Sequence, residues 1–218
     1  MNASLNPRLL SKSPDLRHER ALWSNGLLWV AGVDEAGRGA LAGPVAAAAV
    51  VLPQIADLIK EYTGVRDSKL MTPVQRKIWA RVIRDTAVTY GIGMASAAEI
   101  DRHGILPATQ MAVARAVGAL AVSPDCLLVD YIKLPEIKIP QISLVKGDVC
   151  SLSIAAASIL AKTARDALLE NLDERYPGYG FCANKGYGTS FHRDAIQRLG
   201  PSPLHRMSFA PLLDRQIE

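Results

Sequence analysis

Three short apolar segments of this chain each run into a carboxylate. Residues 27–33 lead into Asp34-Glu35, residues 126–129 into Asp130, and residues 141–145 through Lys146-Gly147 to Asp148. Apolar runs of this length, bounded by turn residues, read as buried strands. A strand that ends on an acid delivers that acid to the rim of its sheet. One such acid is commonly a mere loop residue. Several converging at one rim repel one another and call for a compensating cation. Mg²⁺ or Mn²⁺ suits an all-oxygen donor set and keeps water or substrate oxygens in its shell. The adjacent pair Asp34-Glu35 poses a geometric question, because neighbours on a regular strand point to opposite faces. Both can serve one site only if the strand ends or bends there, or if one of them contributes its main-chain carbonyl.

Between the strands lie helical signals. Thr72-Pro73-Val74-Gln75 combines a capping threonine, a proline suited to the first helical position and a glutamine that closes a capping box. That helix is expected to run to about Asp85. Residues 45–52 and 87–96 read as strands, and 107–120, 151–172 and 190–199 as helices, the last stopping at Gly200-Pro201. Interleaved strands and helices place the chain in the α/β class, with a mixed sheet flanked by helices and a helical C-terminal part. With 218 residues, 49% of them hydrophobic, one sizeable core is available. The expected organisation is a tail with a short helix over 1–27 and one main domain over 28–218.

Bulk properties exclude several classes. The three cysteines, Cys126, Cys150 and Cys182, are odd in number and form no C-x-x-C pair, which argues against a disulfide framework or a zinc site. A reducing compartment, the cytoplasm, is therefore expected. The N-terminal stretch lacks a signal-peptide core, and the apolar run at 45–52 ends at Pro53, too short to span a bilayer. No membrane association is expected. The formal net charge of +4 is compatible with a polyanionic partner but does not by itself argue for one.

The glycines at 32–43 fit neither of two nucleotide-binding patterns. Gly32 and Gly37 have Walker spacing, but Arg38-Gly39 stands where lysine and a hydroxyl residue are required. A dinucleotide loop fails because Pro44 and an apolar strand follow where a helix should begin. Gly37-Arg38-Gly39 remains a tight turn able to offer main-chain N–H groups and a guanidinium to a nucleic-acid backbone. Lys185-Gly186-Tyr187-Gly188 puts an aromatic among basic residues in a loop, a stacking candidate for a sugar or base, although a packed turn tyrosine explains it equally well. Lys162, Arg165 and Asp166 fit either a solvated or a phosphate-facing helix surface. His103 and His205 read as surface or packing residues.

Taken together, these motifs resemble the bacterial ribonuclease HII family. The resemblance rests on Val33-Asp34-Glu35-Ala36-Gly37-Arg38-Gly39 with Gly43-Pro44, on Asp67-Ser68-Lys69, on Asp130, on Lys146-Gly147-Asp148 with residues 153–162, and on Lys185-Gly186-Tyr187 with Phe191-His192. It covers residues 28–210 in order. It implies a ribonuclease H-like core and a metal-dependent endonuclease. The substrates implied are the RNA strand of an RNA–DNA hybrid and single ribonucleotides embedded in duplex DNA, with 5′-phosphate and 3′-hydroxyl products. By the same resemblance Asp34, Glu35, Asp130 and Asp148 hold Mn²⁺ or Mg²⁺. Gly37, Arg38 and Gly39 sense the ribonucleotide, Tyr187 stacks on the neighbouring deoxyribose, Lys69 and Lys185 contact the duplex, and the protein acts as a monomer. Two departures stand out: Tyr131 where the family usually has glycine, and Leu70 where it usually has a second lysine. The related ribonuclease HIII family usually carries an N-terminal substrate-binding domain, for which the 27 or so residues before the first strand are too few. A duplex-binding module without catalysis would be expected to have lost an acid, and all four are present.

Overall fold

The computed structural model describes residues 13–55, 57–65, 68–210 and 212. Residues 1–12 of the tail and short helix expected over 1–27, and Asp67, lie outside the described residues. Five strands form one mixed sheet in the order β3-β2-β1-β4-β5, where β1 is Val30–Ala36, β2 Val45–Val51, β3 Thr89–Ala95, β4 Cys126–Asp130 and β5 Gln141–Leu144. Between and after them run α1 (Arg17–Ser24), α2 (Leu58–Glu61), α3 (Pro73–Thr86), α4 (Ala97–His103), α5 (Ile105–Gly118), α6 (Gly147–Cys150), α7 (Leu152–Asp173), α8 (Phe181–Asn184) and α9 (Ser190–Leu199). None of the helices among the described residues is long and apolar enough to cross a membrane.

Most elements fall where local chemistry puts them. At α3 the Thr72 side chain accepts from the Gln75 N–H and the Gln75 side chain accepts in return from the Thr72 N–H, at 3.2 and 2.9 Å. Two sequence expectations need correction. Residues 97–103 form α4, opened by a second reciprocal box between Ser96 and Glu99 and followed by Gly104 at φ +84°. In addition, β5 is not a buried apolar strand but the sheet's edge, with Ile142 and Ser143 exposed. Asp148 accordingly sits not at a strand end but on the single helical turn α6.

The described residues divide into two compact units, one falling within residues 13–34, 49–90 and 120–160, the other within 35–48, 91–119 and 161–212. In the first, β1 and β4 run parallel, Val30 pairing with Cys126 and Val33 with Val129, and β4 runs parallel to β5. Val30, Leu128 and Ile154 form a core against which Leu22, Trp23, Leu27 and Leu144 pack. In the second, Leu41, Ala42, Leu169, Tyr179, Phe181, Ala195, Ile196 and Leu212 make the core. Within it Tyr179 stacks on Phe181 at 5.5 Å, and the His192 ring meets the Phe181 edge at 5.4 Å.

Candidate active site

The register of β1 against β4 accounts for the first two acids. The last paired residues are Val33 and Val129, so Asp34 and Asp130 follow side by side at the C-terminal ends of two parallel strands. The third acid arrives from β5 by a sharp reversal. Lys146 adopts φ +55°, and α6 begins at once with Gly147, whose N–H donates to Asp130 Oδ1 at 2.7 Å. Oxygens of Asp34, Asp130 and Asp148 thereby come within 4.8 Å of one another. Asp34 and Asp148 are buried, at 5% and 4% exposure, and Asp130 is half-buried. Lys69 Nζ stands 3.7 Å from Asp148 Oδ2. Lys69, Asp130, Tyr131, Val145, Lys146, Asp148 and Val149 line a pocket of about 430 Å³. Three hard oxygen donors with no sulphur or imidazole among them fit Mg²⁺ or Mn²⁺ and disfavour zinc.

Tyr131 sits at the lip of this pocket and is 72% exposed. Its φ is +60°, and the Ile132 N–H closes back onto the Asp130 carbonyl at 2.7 Å. Tyr131 is thus the central residue of a γ-turn with positive φ, a strained arrangement for any residue with a Cβ. A glycine at this place would carry no such strain.

Glu35 lies outside the set of three converging acids. Strand β1 continues past Asp34 to Ala36, and Glu35 is half-buried, with Arg38 Nη1 at 3.3 Å from its Oε1. In the same unit two fully buried arginines brace the segment from Gly37 to Pro44. Arg206 donates to the carbonyls of Gly37, Arg38 and Gly43 at 2.7–3.0 Å. Arg165 donates to those of Ala42, Pro44 and Lys185 at 2.8–2.9 Å. Gly37 has φ +92°, and a Cβ there would lie 2.0 Å from Arg165 Nε, so both backbone and packing require glycine. Burial lowers the pKa of both guanidiniums, that of Arg206 to about 9. Tyr187 is partly exposed, with Lys162 Nζ and Arg165 Cζ each 5.3 Å from its ring centre. Lys185, at φ +50°, has its ammonium on Glu170 Oε1 at 3.0 Å and on the Cys182 carbonyl.

His205, read from the sequence as a surface or packing residue, and His192, which with Phe191 belongs to a motif of the family resemblance, form a buried relay. The Ser202 N–H donates to His205 Nδ1 at 2.9 Å, so His205 carries its proton on Nε2 and donates it to His192 Nε2 at 3.1 Å. His192 in turn donates from Nδ1 to the Tyr187 carbonyl at 2.9 Å. Every ring nitrogen is thereby committed with both rings neutral. Burial, together with the facing His192, lowers the pKa of His205 to about 4. Below its ordinary value near 6.5 the unfolded chain takes up a proton that the fold refuses, so stability is full above about pH 6.5 and is lost progressively toward pH 4. A shift of this size is worth on the order of 3 kcal/mol. Melting followed from pH 7 to 4.5 should show a steep fall in the parent and a shallower one in His205→Asn; equal slopes would remove His205 from the acid response.

Comparison with known proteins decides the family. The ribonuclease HII family model matches residues 31–212. The chain belongs to the ribonuclease HII family. A ribonuclease HII from Synechococcus sp. (strain JA-3-3Ab) is 54% identical over 203 residues, covering 93% of this chain and 91% of that relative. One from Roseiflexus castenholzii is 49% identical, covering 92% and 90%. Among solved structures, the ribonuclease H2 of Pyrococcus horikoshii OT3 superposes with a TM-score of 0.72 at 26% identity, covering 85% of this chain and 96% of that one. Family membership makes the protein a ribonuclease, and the three-aspartate cluster lies inside the matched region.

Proposed function

We propose that this protein is an endonuclease that hydrolyses the RNA strand of RNA–DNA hybrids and cuts at single ribonucleotides in duplex DNA, leaving 5′-phosphate and 3′-hydroxyl ends. The observation that carries this reading is the convergence of Asp34, Asp130 and Asp148 within 4.8 Å in a chain of the ribonuclease HII family. These three would hold Mg²⁺ or Mn²⁺, with Glu35 the fourth acid that the family resemblance adds. The chemistry a bound divalent cation supplies is activation of a water nucleophile and neutralisation of charge on the phosphate. The protein's own part is to fix the acids. Gly147 holds Asp130 through its N–H, and Lys69 beside Asp148 offers a cation toward the incoming phosphate.

Selectivity for ribose is assigned to the Gly37-Arg38-Gly39 turn and Tyr187. Arg206 holds the turn through the Gly37 and Arg38 carbonyls and Arg165 packs against Gly37, while Arg38 and Gly39 are exposed. Gly39 has no left-handed φ, and a Cβ there would meet open space, so the fold itself does not demand glycine. Close approach of a substrate backbone does. A 2′-hydroxyl reaching this turn distinguishes RNA from DNA, and the Tyr187 ring offers a face to the next sugar. Lys185, tied to Glu170, would contribute to the duplex contact as part of this loop.

The deciding experiment is incubation with a DNA duplex carrying one ribonucleotide, with Mg²⁺, with Mn²⁺ and with chelator. Cleavage in both metals, none in chelator, and 3′-hydroxyl ends are expected; metal-independent cutting with cyclic phosphate ends would overturn the reading. Binding is also expected to depend steeply on salt, since Lys69 and Arg38 have side chains 76% and 43% exposed and each phosphate neutralised releases counterions. Hybrid affinity should fall by about tenfold or more from 50 to 200 mM salt, a loss that follows from even a few phosphate contacts. A flat titration would count against those side chains as phosphate ligands.

A further inference from the structure

Helix α1 precedes the matched family region, yet it carries a fully buried carboxylate, Glu19. An unpaired carboxylate is costly to bury, and here three donors on a single oxygen offset that cost. Glu19 Oε1 accepts from Ser151 Oγ at 2.6 Å, from Ser153 Oγ at 2.6 Å and from the Ser153 N–H at 2.9 Å. Its other oxygen, Oε2, is buried and has no hydrogen-bond partner among the described residues. A parallel main-chain bridge between Asp15 and Ser151 joins the same segments, the Leu152 N–H donating to the Asp15 carbonyl at 2.9 Å as part of it.

Ser151 is more than an anchor point. It directly follows α6, the turn that carries Asp148, and its N–H donates to the Gly147 carbonyl at 2.8 Å. Gly147 in turn donates its own N–H to Asp130 Oδ1 at 2.7 Å. A continuous bonded path therefore runs from Glu19 through Ser151 and Gly147 to Asp130, with Asp148 held on the turn between. Ser153 touches the same Glu19 oxygen but lies beyond that turn, inside α7. All these residues belong to one compact unit.

We propose that Glu19 is a positioning residue for the metal site, fixing the Asp148-bearing turn through Ser151. The inference rests on the reading of Asp34, Asp130 and Asp148 as metal ligands. Residues that orient ligands from behind are commonly worth 10- to 100-fold in metal affinity. Since Glu19 is carried on α1, this helix supports the site through Ser151.

The test compares four variants of the full chain, Glu19→Ala, Glu19→Gln, Ser151→Ala and Ser153→Ala, by Mn²⁺ titration calorimetry without substrate and by melting. Ser151→Ala and Glu19→Ala should weaken Mn²⁺ binding about tenfold. Glu19→Gln, which keeps an acceptor oxygen, should recover most of that loss. Ser153→Ala should lower Tm about as much as Ser151→Ala while leaving Mn²⁺ affinity close to the parent's. If Glu19→Ala fails to fold, the two serine variants and Glu19→Gln decide the matter. Equal loss of Mn²⁺ affinity in Ser151→Ala and Ser153→Ala, or parental affinity in Ser151→Ala, overturns the inference while the parent still binds Mn²⁺. A parent that binds no Mn²⁺ at all overturns the metal-site reading and this inference with it.

Discussion

Asp34→Asn is expected to lower cleavage of a single-ribonucleotide duplex by about a thousandfold or more, a loss of about 4 kcal/mol in transition-state stabilisation. The substitution keeps the volume and the strand position of a residue that is only 5% exposed, and removes one negative charge and one ligand oxygen. In the absence of metal it also relieves repulsion among three acids held within 4.8 Å. The fold should therefore melt at the parental temperature or slightly above it. That pairing of lost turnover with retained or raised Tm separates a ligand from a structural residue. Near-normal cleavage by Asp34→Asn in Mg²⁺ or Mn²⁺ would end its role as ligand.

Arg165→Ala is expected to be the most destabilising single change considered. The side chain is fully buried, and its guanidinium supplies donors to the carbonyls of Ala42, Pro44 and Lys185. Truncation leaves those acceptors without their donor and opens a cavity beneath Gly37 and Tyr187. A cost of about 3–5 kcal/mol follows, or roughly 10 °C in Tm for a chain of this size. Arg165→Lys should recover little of it, because an ammonium cannot reproduce a planar fork bonded to three separate carbonyls. An Arg165→Ala protein that melts within a few degrees of the parent would show that the loops hold themselves.

The places of Asp34 and Asp130 in the sheet were legible because apolar runs of strand length stop at them, although β1 itself goes on to Ala36. Asp148 was legible as an acid but not in its setting. The left-handed Lys146 that swings α6 back toward Asp130 has no signature in side-chain pattern. Helix α4 was readable in principle, since Ser96 and Glu99 have capping-box spacing and Gly104 follows, but its seven residues are too few for apolar periodicity to show. The burial of Arg165 overturns the expected solvated or phosphate-facing surface, although the sequence does carry a trace of it. Arg165 continues the stripe Ala157, Ala161, Arg165, Leu169, each four residues from the last and each buried, so helical spacing alone marks it as facing inward. Glu19, Arg206 and the pairing of His192 with His205 depend on contacts between segments remote in sequence, which no local pattern records.

The histidine relay gives the protein a built-in spectroscopic reporter. With every ring nitrogen committed, the Nε2 proton of His205 and the Nδ1 proton of His192 are buried and hydrogen-bonded, and the second of them ends on the main chain of Tyr187. Protons so held leave for solvent only when the surrounding structure opens. Proton resonances from these two rings would consequently report, without any label or substrate, how often the Tyr187 loop detaches from the helical part that supports it.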